Sequence, residues 1–241
     1  MSYAEKLLEG KYNYLKDGAV YSEEEFHVEK EDKSQGNYTF HSEILSRLRT
    51  GEFLKIYVDY ELTHQFIPLR VCIKRRLGDK SSTETYTWDI KSKNLSYEFE
   101  DTNGKRHFHE QVINSKTAIS TPAFLTSMIM VNHRKMDPVH KTPYQVISSS
   151  NLWDYEGPFY ENEMFLELQS LDQVEIELAG NKLNATHCKM FHVASKDTNL
   201  VQGDDIYLSK HFYIPYKANF QNNVSIEIES LKTFEDQFSK R

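Results

Sequence analysis

Long apolar runs are missing from this chain. No segment approaches the ~18 consecutive apolar residues of a membrane-spanning helix, and the opening Met1-Ser2-Tyr3-Ala4-Glu5-Lys6-Leu7-Leu8-Glu9 holds no apolar core of a secretion signal. A cytoplasmic protein with no transmembrane segment is expected, a mature periplasmic or secreted form being the alternative. Glycine (9) and proline (6) are sparse in 241 residues, which excludes collagen-like repeats and low-complexity disorder. Cysteine is sparser. Cys72 and Cys188 stand in strand-like runs without CxxC or zinc-type spacing, so two reduced structural thiols are expected. Basic excess is absent as well: the formal charge is −7 and the pI about 5.8. The nearest basic cluster, Lys74-Arg75-Arg76, is too short to neutralise a run of phosphates, so no nucleic-acid partner is expected. Also missing are a Gly-rich phosphate loop, a GxSxG elbow, an HExxH pair and an EF-hand run. The sequence implies no cofactor and no metal site.

What the chain has is aromatic residues, 15 Tyr and 14 Phe, which favour pleated strands over helices. Tyr3 to Glu9 reads as a short amphipathic helix. Lys11–Leu15 and Ala19–Glu29 then read as strands joined at Lys16-Asp17-Gly18, and Asp-Gly between such runs is a strong hairpin signal. Glu23, Glu24 and Glu25 read as a solvated strand edge. Phe53–Leu62 alternates, with Leu54, Ile56, Val58 and Tyr60 on one face; Phe66–Leu77 does the same, with Val71, Ile73 and Arg75 on its apolar face. Thr83–Ile90, Leu95–Glu100 and Lys105–Ile113 follow as three antiparallel strands, placing Glu84, Tyr86 and Trp88 beside Leu95, Tyr97 and Phe99. Later runs at 143–149, 164–169, 173–178, 183–194, 206–216 and 224–228 complete a β pattern with no domain linker, so one domain spans 1–241. Thr63 to Pro68 echoes Ser209 to Pro215, each a turn entering the next strand through an apolar-Pro pair.

One stretch reads differently. In Ser120 to Lys135, Thr121 suits a cap and Pro122 the first helical position. Phe124, Met128 and Val131 fall at helical spacing, as do Leu125 and Ile129, leaving little but Thr126 and Ser127 for water, while His133, Arg134 and Lys135 suit the negative end of the helix dipole. A buried helix near 121–135 is expected. A greasy helix among strands needs an apolar concavity, so the fold class is mainly β: a large curved antiparallel sheet, half-barrel or barrel, wrapping one helix.

A resemblance points the same way. Ile206-Tyr207-Leu208-Ser209-Lys210 followed by Ile214-Pro215, with Tyr12-Asn13-Tyr14, Asp17-Gly18 and a long second strand, resembles bacterial curved-sheet half-barrels of the lipoprotein-carrier and glycolipid-binding type. The resemblance implies a bent sheet, lipocalin-like or lipoprotein-carrier-like, that wraps buried helices and holds acyl chains.

The expected function is therefore binding of a hydrophobic or amphipathic small molecule, a lipid, glycolipid or terpenoid, in an apolar cup. Its expected lining is Tyr60, Arg75, Tyr86, Trp88, Tyr97, Phe124, Met128 and His187. The alternative is an isomerase, cyclase or hydrolase in the same cup, with His187 as acid or base, because strand alternation puts His187 on a face with Leu183, Ala185, Phe191 and Val193. Three further patterns were weighed. His107 and His109 share a strand face and could share a metal, but with Phe108 and Val112 buried opposite them they read as a solvated edge. Cys188 near His192 reads as structural. Trp153 to Tyr160 reads as an aromatic loop over a pocket mouth, or as an interaction loop.

Overall fold

The computed structural model describes residues 4–31, 35–113, 117–132, 135–192 and 203–234. Within them the first arm of the chain is β1 (Ala4–Lys16), β2 (Ala19–Glu31), β3 (Tyr38–Arg47), β4 (Phe53–Leu62), β5 (Pro68–Leu77), β6 (Lys80–Asp89), β7 (Asn94–Glu100) and β8 (Arg106–Val112). The second is β9 (Thr117–Ile119), β10 (Thr142–Ser148), β11 (Tyr160–Leu168), β12 (Val174–Leu178), β13 (Asn181–His192), β14 (Asp204–Leu208), β15 (Pro215–Phe220) and β16 (Val224–Thr233).

The strands form one curved sheet in the order β8-β7-β6-β5-β4-β3-β2-β1-β16-β15-β14-β13-β11-β10-β9, with β12 beside β13. Every pairing is antiparallel except the short parallel β9–β10 contact. The path does not close, so among the described residues the architecture is an open, barrel-like sheet with β8 and β9 at its edges. The first eight strands form a meander, each paired with the next in sequence, and β1–β2 and β5–β6 are joined by two-residue turns. Asp17 and Gly18 both take positive φ, 50° and 78°, as a two-residue hairpin turn of matching twist requires.

Ala4–Lys16 is strand throughout, not a helix up to Glu9. Its backbone is claimed on both sides, by β2 and by β16, and that pairing overrides a weak local helical pattern. Gly10 is required here. The ring of Phe26, its cross-strand partner, lies over it, and an added Cβ would meet Phe26 Cζ at 2.5 Å and crowd the Ser230 carbonyl.

The stretch after β9 is buried as expected, with Phe124, Leu125, Met128, Ile129, Met130 and Val131 all 4% exposed or less. It is not one α-helix. Two 3-10 turns, Phe124–Thr126 and Ile129–Asn132, carry it, and the residue before the first is Ala123 in an extended conformation. Bonds from Ser127 N–H to the Phe124 carbonyl and from Val131 N–H to the Met128 carbonyl close the turns over three residues rather than four. The Ser127 hydroxyl and Asn132 amide donate to the Phe124 and Ile129 carbonyls, taking acceptors that an α-helix would use. Thr126, expected at the surface, is buried, its hydroxyl bonded to Thr121. The expected closing residues His133 and Arg134, like Val193 and the end of the tail, lie outside the described residues.

Candidate functional site

Three buried arrangements occupy the concave side of the sheet. The first is built on Glu24. Strand alternation on β2 puts Ser22, Glu24, Phe26 and Val28 inward, so the middle carboxylate of the Glu23-Glu24-Glu25 run is fully buried, not part of a solvated edge. Its Oε2 accepts from the Tyr14 hydroxyl (2.5 Å) and the Phe124 N–H (2.8 Å). Its Oε1 accepts from the Ser42 hydroxyl (2.7 Å) and the Leu125 N–H (3.3 Å). The carboxylate thus holds the first free amides of the 3-10 turn, the role expected of Thr121, whose hydroxyl oxygen instead accepts the Ala123 N–H. Burial raises the carboxyl of Glu24 above its ordinary range despite these four donors.

The second is a polar cluster in the first arm. Arg75 Nη2 donates to Glu84 Oε2 at 2.8 Å, the two side chains being 7% and 1% exposed. The Tyr86 hydroxyl donates to Glu84 Oε1 at 2.6 Å, and the Tyr97 hydroxyl lies 3.2 Å from the same oxygen. Asn151 closes the cluster by donating to the Tyr97 hydroxyl and to the Gly157 carbonyl. The 149–159 loop is therefore a plug and not a lid over a pocket. Phe159 sits against Tyr86 and edge-on to Tyr97, and the Ser82 hydroxyl donates to the Leu152 carbonyl.

That plug also reverses the expectation for β8. His107 stacks on Tyr155 at 4.1 Å and His109 meets Phe159 edge-on, whereas Phe108 and Val112 are 68% and 71% exposed.

The third is a cavity of about 240 Å³ between the 3-10 turns and the second arm. Phe124, Met128 and Met130 line one side, and Met164, Met190 and Ile206 the other. Ser120, Ser148 and Asn162 stand at its polar rim. Tyr14 is the one aromatic hydroxyl at its wall, and burial raises its pKa well above the usual value.

The expected lining residues therefore divide. Phe124 and Met128 face this cavity. Arg75, Tyr86 and Tyr97 are spent in the Glu84 cluster, and Trp88 is buried at its cross-strand position beside Leu95. Tyr60, fully buried, accepts the Ile119 N–H at 3.0 Å and so fixes β9 across the concavity. His187 is on another face. Its Nε2 lies 2.8 Å from Asp205 Oδ1, and its ring stacks on Tyr207 at 4.5 Å. The cause is a change of parity in β13: Ala185 and Cys188 are both buried although an odd spacing separates them. The strand pairs with β12 through Ala185 and with β11 from Cys188 onward, and the expected alternation does not carry across that change of partner. Cys188 is a closed-off thiol, its pKa pushed up to about 12 by burial, and both cysteines are free.

No protein-family model matches the sequence, and no curated protein matches it. Among solved structures the chain is similar to a β-barrel-like protein of a domain of unknown function, DUF1849, from Brucella abortus. The match has a TM-score of 0.59 at 7% identity and covers 95% of this chain and 98% of that one. A DUF1089 family protein from Pseudomonas aeruginosa matches with a TM-score of 0.49 at 7% identity, over 82% of this chain and 89% of the other. The first likeness establishes a barrel-like curved-sheet fold. Among the described residues no helix is long and apolar enough to cross a membrane.

Proposed function

We propose that the protein binds a small hydrophobic or amphipathic molecule, of lipid, glycolipid or terpenoid chemistry, in the cavity between the 3-10 turns and the second arm. The observation that carries this reading is the make-up of that cavity: mainly apolar walls rich in methionine, with Ser120, Ser148 and Asn162 at the rim. Methionine walls adapt to irregular apolar shapes. The rim at Ser120, Ser148 and Asn162 gives an amphipathic ligand somewhere to leave its polar end.

Size narrows the ligand. About 240 Å³ exceeds the ~150 Å³ void that takes benzene and falls short of the ~300 Å³ at which drug-sized pockets begin. One acyl chain or a small terpenoid fits, and a two-chain lipid does not. The alternative, an isomerase, cyclase or hydrolase acting in the same cup, loses its acid or base because His187 does not line the cavity.

Displacement of a fluorescent single-chain fatty acid, with native mass spectrometry of the gently purified chain, tests the reading. Wild type should take up one probe molecule, and Met128→Trp, which fills the cavity, should lose that uptake while keeping its melting transition. Wild type that takes up no probe, or a folded Met128→Trp that binds as wild type does, would overturn it.

A further inference from the structure

The outer face of the sheet carries a second constellation, independent of the cavity. The pairing registers of β1 to β4 align Glu9, His27, His41 and Asp59 in one row across four strands. The row lies in a groove of about 1010 Å³ over β1 to β5 and β16. His27 and His41 are direct cross-strand partners, stacked at 4.5 Å with 22° between their planes. Glu29 follows His27 by two residues and so shares its face; its Oε1 lies 3.5 Å from His27 Nε2. One ring nitrogen of each imidazole and one carboxylate oxygen of Glu29 all lie within 4.8 Å of one another.

We propose that His27, His41 and Glu29 bind a transition-metal dication of the imidazole-preferring kind, Zn²⁺ foremost, with the fourth coordination position open to the groove. Two imidazoles and one carboxylate are a ligand set such ions take, and three protein ligands leave room for water or a small anion. Bonds of ~2.0–2.1 Å about a tetrahedral ion set its ligands roughly 3.3 Å apart. The three side chains are 30–35% exposed, so rotation on a partly wet face brings them from 4.8 Å to that spacing.

A second observation concerns His41. Its Nδ1 lies 2.7 Å from Asp59 Oδ1, which is the carboxylate–imidazole contact that fixes the tautomer of a metal-bound histidine and leaves the other nitrogen free for the ion. Asp59 is thus a positioning residue.

The surrounding charges do not supply the affinity. Glu9, Glu25, Glu43 and Asp59 in the groove are matched by Lys6, Lys11, Lys74 and Lys232. Without a net field to gather cations, binding rests on the three ligands, and their removal should abolish it. Hard cations such as Ca²⁺ and Mg²⁺, which prefer all-oxygen sites, should not compete.

The test is calorimetric titration of the chelator-treated full chain with ZnCl₂. One ion per chain is expected, with binding unaffected by excess Mg²⁺. His27→Gln and His41→Gln should each weaken binding at least tenfold, Asp59→Asn should weaken it about 10–100-fold, and His140→Gln, an exposed imidazole elsewhere, should not change it. Cobalt(II) supplies a readout on unmodified protein: a tetrahedral d–d absorption spectrum together with selective shifts of the His27 and His41 ring resonances. The proposal is overturned if wild type shows no saturable Zn²⁺ binding at micromolar concentration. It is equally overturned if the double His27→Gln, His41→Gln chain binds as wild type does, or if cobalt leaves those two rings unshifted.

Discussion

Replacing Glu24 by Gln tests whether one buried carboxylate holds the 3-10 turn inside the sheet. Each of its oxygens accepts one hydroxyl and one backbone amide: Tyr14 and Phe124 on one side, Ser42 and Leu125 on the other. A glutamine side chain offers one carbonyl and one NH₂. Whichever way it is turned, the NH₂ meets a hydroxyl, which can rotate to accept, and a backbone N–H, which cannot: either Leu125 N–H loses its acceptor, or Phe124 N–H keeps only the Tyr14 hydroxyl at 3.2 Å. One buried amide loses its carboxylate acceptor, at a cost of about 1–3 kcal/mol. Glu24→Leu removes the carboxylate from both amides, leaving Leu125 N–H without an acceptor and Phe124 N–H with the Tyr14 hydroxyl alone, and should cost more than Glu24→Gln.

The sign of the pH dependence follows from the raised pKa of Glu24. The folded state holds the proton more tightly than the unfolded chain, so the group's contribution is full below the unfolded value. It is lost as pH rises through the folded one. Wild type should therefore exceed Glu24→Gln by more near pH 5 than near pH 8. Urea melts with a common m-value at both pH values measure this difference. Equal midpoints for the two proteins, or a gap that widens as pH rises, would refute the account.

Two other substitutions follow from the same packing. Arg75→Met strands the Glu84 carboxylate and Glu84→Leu strands the guanidinium, so each alone should cost about 3–5 kcal/mol, whereas the double change should cost far less than their sum; additive urea-melt effects would show that the pair is not coupled. Gly10→Ala places a Cβ against Phe26 and the Ser230 carbonyl and should cost about 1–3 kcal/mol, measurable as a lower midpoint, while a neutral outcome would mean that Phe26 does not lie over Gly10.

Much of this architecture is legible from residue alternation. Val58 and Tyr60, Val71 and Ile73, Tyr86 and Trp88, and Tyr97 and Phe99 all face inward as their period of two requires. The same rule, carried back from Phe26 and Val28, places Glu24 inside. The charge of its neighbours hid it, because three glutamates in a row look solvated whatever their parity. Arg75 and Glu84 were each legible on inner faces, but their pairing depends on the register between β5 and β6. His187 was misplaced because parity fails where a strand changes partners, and no local residue pattern marks that point. The buried stretch around Phe124 was legible as apolar on most sides, but its 3-10 geometry depends on side-chain bonds and on Glu24, which is distant in sequence. The His27–His41 pair was equally hidden, since two histidines fourteen positions apart meet only through the β2–β3 register.

The adjacency of β1 and β16 has a consequence for how the chain comes to be folded. These strands lie at the middle of the sheet, and the Tyr12 hydroxyl donates to the Pro215 carbonyl across 203 residues of sequence. During synthesis at ~5–20 residues per second, the first meander emerges with β1 as a bare edge, which must wait roughly 10–40 s for its partner. That edge alternates the buried Tyr12 and Tyr14 with Lys11 and Asn13 and ends on Lys16, so nascent chains meeting one another would have to align charge against charge. Pairing β1 with β16 is thus a non-local closure between the two ends of the described chain, the kind of contact that slows folding.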